Sequence, residues 1–160
     1  MSISPGDPIP EATLTVMSAE GPKPVSTKAL FGQGRTVLFA VPGAFTPTCS
    51  AKHLPGFVDL ADELNRRGVN RIVCMAVNDV FVMNAWGESA KVGDKVTMAA
   101  DGNGEFTRAL GLEMDASAFG MGQRCQRFAL ITRNGTVEKV LVEDPGEFRV
   151  SSAEHVLGQL

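Results

Sequence analysis

The segment Thr36 to Ser50 reads TVLFAVPGAFTPTCS, and it obliges a buried strand to hand over to a helix within a few residues. Thr36 to Val41 is a continuous apolar run, the pattern of a strand covered on both faces by other elements. Pro42-Gly43 ends it. Thr46 is suited to cap a helix and Pro47 to occupy its first position, where no amide hydrogen is needed, so Cys49 falls in the first turn. Unpaired N–H groups and the positive end of the helix dipole point at the sulfur there and favour thiolate over thiol. Cys49 is therefore a nucleophile candidate. The blander reading, an inert core thiol, suits a cysteine in the middle of an element better than one that follows Thr-Pro at a helix start.

The remaining pattern extends the same architecture. Alternation from Ala12 to Met17 predicts a short half-buried strand, and Ser26 caps a short helix through Phe31. The helix that opens near Pro47 carries Leu54, Phe57, Val58, Ala61 and Leu64 on one stripe, is bent by Pro55 and closes at Gly68. RIVCMAV (Arg71 to Val77) and Val96 to Ala100 are further central strands, with a helix capped by Asp79 between them and another from Glu105 to Leu110. Arg127 to Thr132 and Thr136 to Val142 flank Asn134-Gly135, the pair preferred in a tight hairpin turn. Ser151 with Glu154 forms a capping box for a last helix. Residues 111 to 126 read as a surface loop. The sum is one α/β domain over residues 1–160, a three-layer fold with a central mixed sheet and flanking helices.

Charge and cysteine count narrow the function. A net charge of −3, with 15 basic residues and no basic run, gives no electrostatic case for nucleic acid or a membrane surface. No stretch has the makings of a signal peptide or a transmembrane span, so a cytoplasmic protein is expected. Three cysteines without zinc spacing are neither a disulfide framework nor a metal site. The glycine-rich spots fit no dinucleotide or phosphate loop, and the two histidines fit no metal site.

A cysteine at a strand-to-helix junction, on a sheet that finishes in a hairpin and helix, resembles thioredoxin. Cys49 is followed by Ser50-Ala51-Lys52, however, so dithiol exchange within one C-x-x-C motif is excluded. PGAFTPTCSAKHLPGF, VNDVFVMNAWG and GQRCQRFALI together resemble the atypical type II peroxiredoxins, the peroxiredoxin-five-like group, and most of all its plant-type branch that accepts glutaredoxin. The resemblance runs from GDPIP to GEFRVSSAEHVL. It implies a thioredoxin-like fold, reduction of hydrogen peroxide and alkyl hydroperoxides without metal or organic cofactor, and a homodimer with contacts near the active-site rim. Pro42, Thr46, Cys49 and Arg127 match the family's catalytic positions.

The residues support those roles independently. A free cysteine of pKa about 8.5 is roughly 3% ionised at pH 7, so complete ionisation gains at most about 30-fold, or ~2 kcal/mol. Lowering the pKa also weakens the nucleophile, so further acceleration must come from donors that polarise the peroxide. Thr46 offers a hydroxyl on the same turn, and Arg127 a fixed cation with planar donors. Pro42 would wall off water. Thr46 is read as both cap and donor; taken alone, Arg127 is equally a surface ion-pair residue. Phe45 is placed at the substrate mouth. His53, at i+4 from Cys49, either tunes the thiolate or is a packed histidine beside the pocket; its place farther along the dipole favours the second. Trp86, Phe81 and Val82 read as core or subunit contact.

Oxidation leaves Cys49 as sulfenic acid, which must meet another thiol. Where family members with an internal disulfide carry their resolving cysteine, this chain has Val150-Ser151-Ser152. Cys74, central in RIVCMAV, reads as a small buried hydrophobe. Cys125, two residues before Arg127, either shares the face of Arg127 or lies in a loop facing elsewhere, the second being favoured. Both stay possible resolving residues. The expected cycle uses Cys49 alone, with glutathione and glutaredoxin or thioredoxin as reductant. A peroxide sensor that relays a disulfide and a holdase chaperone are the rival classes; neither explains why Pro42, Thr46 and Arg127 accompany the cysteine.

Overall fold

The computed structural model describes residues 2–160. Strands β1 (Thr13–Ser18) and β2 (Gly21–Ser26), helix α1 (Thr27–Phe31) and strand β3 (Arg35–Ala40) come first. Helix α2 (Leu54–Arg66), β4 (Arg71–Ala76), α3 (Val80–Ser89), β5 (Thr97–Ala100) and α4 (Glu105–Leu110) follow. Then come β6 (Glu113–Asp115), β7 (Gln123–Cys125), β8 (Phe128–Arg133), β9 (Thr136–Val142) and α5 (Ala153–Gly158). Seven strands form one sheet in the order β2-β1-β5-β4-β3-β8-β9. β3 runs parallel to β4, and β4 to β5, whereas β1 and β8 are antiparallel to their neighbours, so the sheet is mixed.

The central strands are apolar throughout because both faces are covered. In β3 and its extension, Val37, Phe39 and Val41 join Leu54, Phe57, Met83, Trp86 and Val156 on one face, whereas Leu38 and Ala40 join Leu30, Phe31, Phe106 and Leu110 on the other. Helices α2, α3 and α5 thus cover one side and α1 and α4 the opposite one. The stripe of α2 buries Leu54, Phe57, Ala61 and Leu64; each large side chain among them contributes about 1.5–3 kcal/mol. Asn134 and Gly135 turn β8 into β9 with φ of 51° and 83°, the left-handed pair that such a turn requires.

Several local expectations are corrected. Strand β2 was not foreseen, because its Pro22 and Pro24 disfavour pairing; β2 is an edge strand, where a missing N–H is tolerated. Residues 111 to 126 are not one irregular loop: β6 and β7 pair across a 3₁₀ turn at Ser117–Phe119. The irregularity attributed to Pro55 falls just ahead of it, where Cys49–His53 form a π-turn and the Leu54 N–H reaches the Cys49 carbonyl. Proline has no N–H to give to the Ala51 carbonyl, so the α-helical ladder cannot run unbroken through this turn. Helix α5 is capped by Ser152, whose Oγ accepts the His155 N–H at 3.2 Å; Ser151 is engaged with Glu143 instead.

Candidate active site

Strand β3, the loop after it and the first residue of the π-turn place Cys49 beneath the C-terminal edge of the sheet. Gly43 allows the loop to close, since a Cβ there would stand 3.0 Å from Met121 Cε and 3.2 Å from Thr46 Cγ2. The Asn78 side chain ties the loop down by accepting the Ala44 N–H at 2.9 Å. From the other side, Trp86 of α3 donates its indole N–H to Ser50 Oγ at 3.1 Å, anchoring the π-turn.

Two polar groups converge on the sulfur. Thr46 Oγ1 lies 2.9 Å from Cys49 Sγ and 2.7 Å from the Gly43 carbonyl oxygen. A hydroxyl has one hydrogen, so it donates either to Gly43, leaving its lone pairs to a thiol S–H, or to the sulfur once that is a thiolate. The expected double role of Thr46 is revised: its carbonyl accepts the Ser50 N–H at 2.9 Å, but its hydroxyl accepts no helix N–H and is given over to Gly43 and the sulfur. Arg127 Nη2 donates to Cys49 Sγ at 3.1 Å. Its position, one residue before β8, brings a residue 78 positions away in sequence onto the Cys49 sulfur.

His53 is fully buried and does not line the cavity, so it is the packed histidine beside the pocket and not a pocket-lining residue. Its ring packs among Phe39, Phe57 and Phe148. Nε2 lies 2.9 Å from the Ser151 carbonyl and Nδ1 2.9 Å from Arg127 Nη1. A carbonyl only accepts and a guanidinium only donates, so the ring is neutral with its proton on Nε2. Burial, assisted by the Arg127 charge, holds its pKa down at about 3. Among the described residues no carboxylate pairs with Arg127. A neutral imidazole orients the guanidinium and leaves its positive charge free for the sulfur.

Cys49 itself is fully buried and is not among the lining residues of the neighbouring cavity of about 580 Å³, whose wall includes its two polar partners Thr46 and Arg127 together with Pro42. Met114, Phe119 and Met121 supply apolar surface there, in the segment expected to be a plain loop. Phe45 does not line this cavity, which corrects its assignment to the mouth: with φ of 64° it lies on the Trp86 side, 53% exposed. Trp86 is core, and Phe81 is exposed.

The other two cysteines are remote from solvent. Cys74 lies in the same core as Cys49, and burial, then the neighbouring cysteine charges, push its thiol well above the ordinary range. Cys125 belongs to the core on the opposite face of the sheet and donates its S–H to the Val41 carbonyl at 3.1 Å. Burial, then the Asp101 charge, push its thiol up to about 12. The fold thus opposes ionisation of both thiols.

Glu143, which sequence reasoning passed over, is buried at the end of β9 and lines the cavity. Its Oε2 accepts the N–H groups of Arg149, Val150 and Ser151, each at 2.8 Å, and the Ser151 hydroxyl at 2.7 Å. Burial opposes its ionisation, yet those four bonds hold the carboxyl below the usual carboxylate range. No periodicity or motif marks a single glutamate for such a role, since its donors lie six to eight residues on, in an irregular loop.

Residues 4–157 match the family model described as Redoxin. The chain is 51% identical over 164 residues to peroxiredoxin-2E-2, chloroplastic, of Oryza sativa subsp. japonica, covering 99% of this chain and 73% of that protein. It is 45% identical to peroxiredoxin-2D of Arabidopsis thaliana, over 99% and 98% of the two chains. Among solved structures, reduced Prx3 of Vibrio vulnificus in complex with H2O2 superposes with a TM-score of 0.95 at 49% identity, covering 98% of each chain.

Proposed function

The chain belongs to the atypical type II peroxiredoxins and is a thiol peroxidase, and from that premise we propose that Cys49 is the peroxidatic residue, with Thr46 and Arg127 as its catalytic donors and Pro42 as a wall against water. One observation carries the assignment: the sulfur lies within hydrogen-bonding distance of both a hydroxyl and a guanidinium that no carboxylate neutralises.

In the proposed reaction the Cys49 sulfur attacks one peroxide oxygen along the O–O axis. The S–O bond forms as the O–O bond breaks, and the departing oxygen carries away the electron pair and takes up the proton that the thiol released. The sum, Cys–SH plus ROOH giving Cys–SOH plus ROH, is balanced. Arg127 offsets the charge that builds up on the oxygens, and Thr46 turns its single hydrogen from Gly43 to the sulfur or the peroxide as charge moves. Donors fixed in advance in a water-poor site act without reorganisation, and loss of one costs about 10²–10³ in rate. The V. vulnificus relative was solved with H2O2, which supports hydrogen peroxide as a substrate. The apolar wall of Met114, Phe119 and Met121 favours small alkyl hydroperoxides as well.

Recycling is assigned to an external thiol, glutathione with glutaredoxin or thioredoxin. One thiol condenses with Cys–SOH, releasing water and leaving a mixed disulfide; a second thiol then frees Cys49 as the reductant is oxidised to its disulfide. Burial of Cys74 and Cys125 and the absence of cysteine from Val150-Ser151-Ser152 support this route over an internal one. The exposed rings of Phe45, which packs against Trp86, and of Phe81 support a homodimer contact on that side of the molecule. Three unpaired thiols fit a reducing compartment such as the cytoplasm, although two plant relatives are named chloroplastic.

Peroxide consumption with the glutathione/glutaredoxin and thioredoxin systems, measured side by side for the wild type and Cys49→Ser, tests the reading. Many turnovers by the wild type with at least one system and none by the variant are expected. Near-normal consumption by Cys49→Ser ends the assignment.

A further inference from the structure

Arg127 is aimed at Cys49 by a chain of contacts that begins at Glu143, in the wall of the same cavity. The Glu143 N–H donates to the Arg127 carbonyl at 3.0 Å, so the two residues face each other where the β8–β9 pairing continues beyond its strands. The Glu143 carboxylate turns instead toward the segment ahead of α5, where a single oxygen gathers four donors from Arg149, Val150 and Ser151. That clamp fixes the Ser151 peptide, whose carbonyl holds His53 Nε2 at 2.9 Å. The proton this carbonyl requires leaves Nδ1 with only a lone pair, and the lone pair takes one guanidinium N–H at 2.9 Å. A planar guanidinium anchored at Nη1 has little freedom left at Nη2, which meets Cys49 Sγ at 3.1 Å.

We propose that Glu143 is a positioning residue for catalysis, setting the direction of Arg127 onto Cys49 through the Ser151 carbonyl and the His53 ring. The inference rests on the role given to Arg127 above. It explains a cost the fold bears: a buried carboxylate, all but 6% covered, is placed where an apolar residue would pack without desolvation. Its four donors are backbone and hydroxyl groups rather than Arg127 itself, so the charge that faces the sulfur is not cancelled. It also gives the irregular segment 149–151 a purpose, since displacing it would release His53 and with it the guanidinium.

The test is a double-mutant cycle on kcat/KM for hydrogen peroxide, using Glu143→Gln, Arg127→Met and the pair. Global stability is followed in urea, and the Cys49 thiolate by its ultraviolet absorbance against pH. Glu143→Gln keeps the shape but places an N–H group among four donors. It is expected to lower kcat/KM about tenfold or more and to move the thiolate titration upward. In the Arg127→Met background it should cause no further change in either quantity. A merely structural glutamate would lower urea stability and leave kcat/KM and the titration in place, and that result overturns the proposal. So does a pair of falls that multiply, because Glu143 would then act independently of Arg127. Unchanged activity of Arg127→Met alone would show that the failure lies in the role of Arg127 and would remove the premise. Should Glu143→Gln not fold, Ser151→Ala, which deletes one of the four bonds, is read in the same cycle against the same outcomes.

Discussion

Acid should destabilise this protein through His53, because the fold buries the imidazole in its neutral form. In the unfolded chain the imidazole has a pKa near 6.5, whereas in the fold burial, aided by Arg127, lowers it to about 3. Between these values the unfolded state binds a proton that the folded state refuses, so stability rises with pH and falls as pH drops below 6.5. The loss accumulates at about 1.4 kcal/mol per pH unit and reaches about 3 kcal/mol by pH 4.5. Protonating the folded ring would put a cation against Arg127 and remove the acceptor for its Nη1–H, so the fold has little means of escape. Glu143 and Glu138, both held below the usual carboxylate range, push in the same direction at lower pH. Comparison with His53→Gln cancels them. Urea unfolding of both proteins from pH 7 to pH 4.5 is the assay. The variant is expected to be less stable at pH 7, and its deficit to shrink by about 3 kcal/mol at pH 4.5, a relative midpoint shift of about 1–2 M urea. Parallel stability profiles would refute the neutral, buried imidazole and the orientation of Arg127 derived from it.

Removal of the donors at sulfur should separate stability from chemistry. Arg127→Gln and Thr46→Val are each expected to lower kcat/KM for peroxide by about 10²–10³ in stopped-flow measurements, with Thr46→Val retaining most of its urea stability. Cys74→Ser combined with Cys125→Ser is expected to keep turnover with an external thiol system; its loss in a folded double variant would implicate an internal resolving cysteine. Gly135→Ala, at φ of 83°, should cost about 1 kcal/mol in thermal or urea unfolding without altering kcat/KM.

Much of the fold was legible because its signals are local. The apolar runs that became β3, β4 and β8 need cover on both faces wherever they are placed, and the hairpin at Asn134-Gly135 and the caps at Ser26 and Asp79 need only their immediate neighbours. Strand β2 and the β6–β7 pair were not legible, because their residues pair only once a partner is brought alongside. The π-turn was half legible: Pro55 announces a broken ladder but not which turn absorbs it.

The sequence by itself singled out the candidate nucleophile and determined the family, since Cys49 after Thr-Pro at a strand-to-helix junction is a matter of chain-local chemistry and of a motif that spans the chain. Tertiary structure decided everything that depends on direction. It turned His53 into the core as a neutral acceptor for Arg127, placed Cys125 on the opposite face of the sheet from Cys49, moved Phe45 off the cavity wall, and brought Glu143 to bear on the segment before α5. The physical reason is that hydrogen bonds and burial are set by where side chains point after distant strands have paired. The sulfur and the guanidinium that meets it stand 78 residues apart along the chain and 3.1 Å apart in space, and only the sheet joins them.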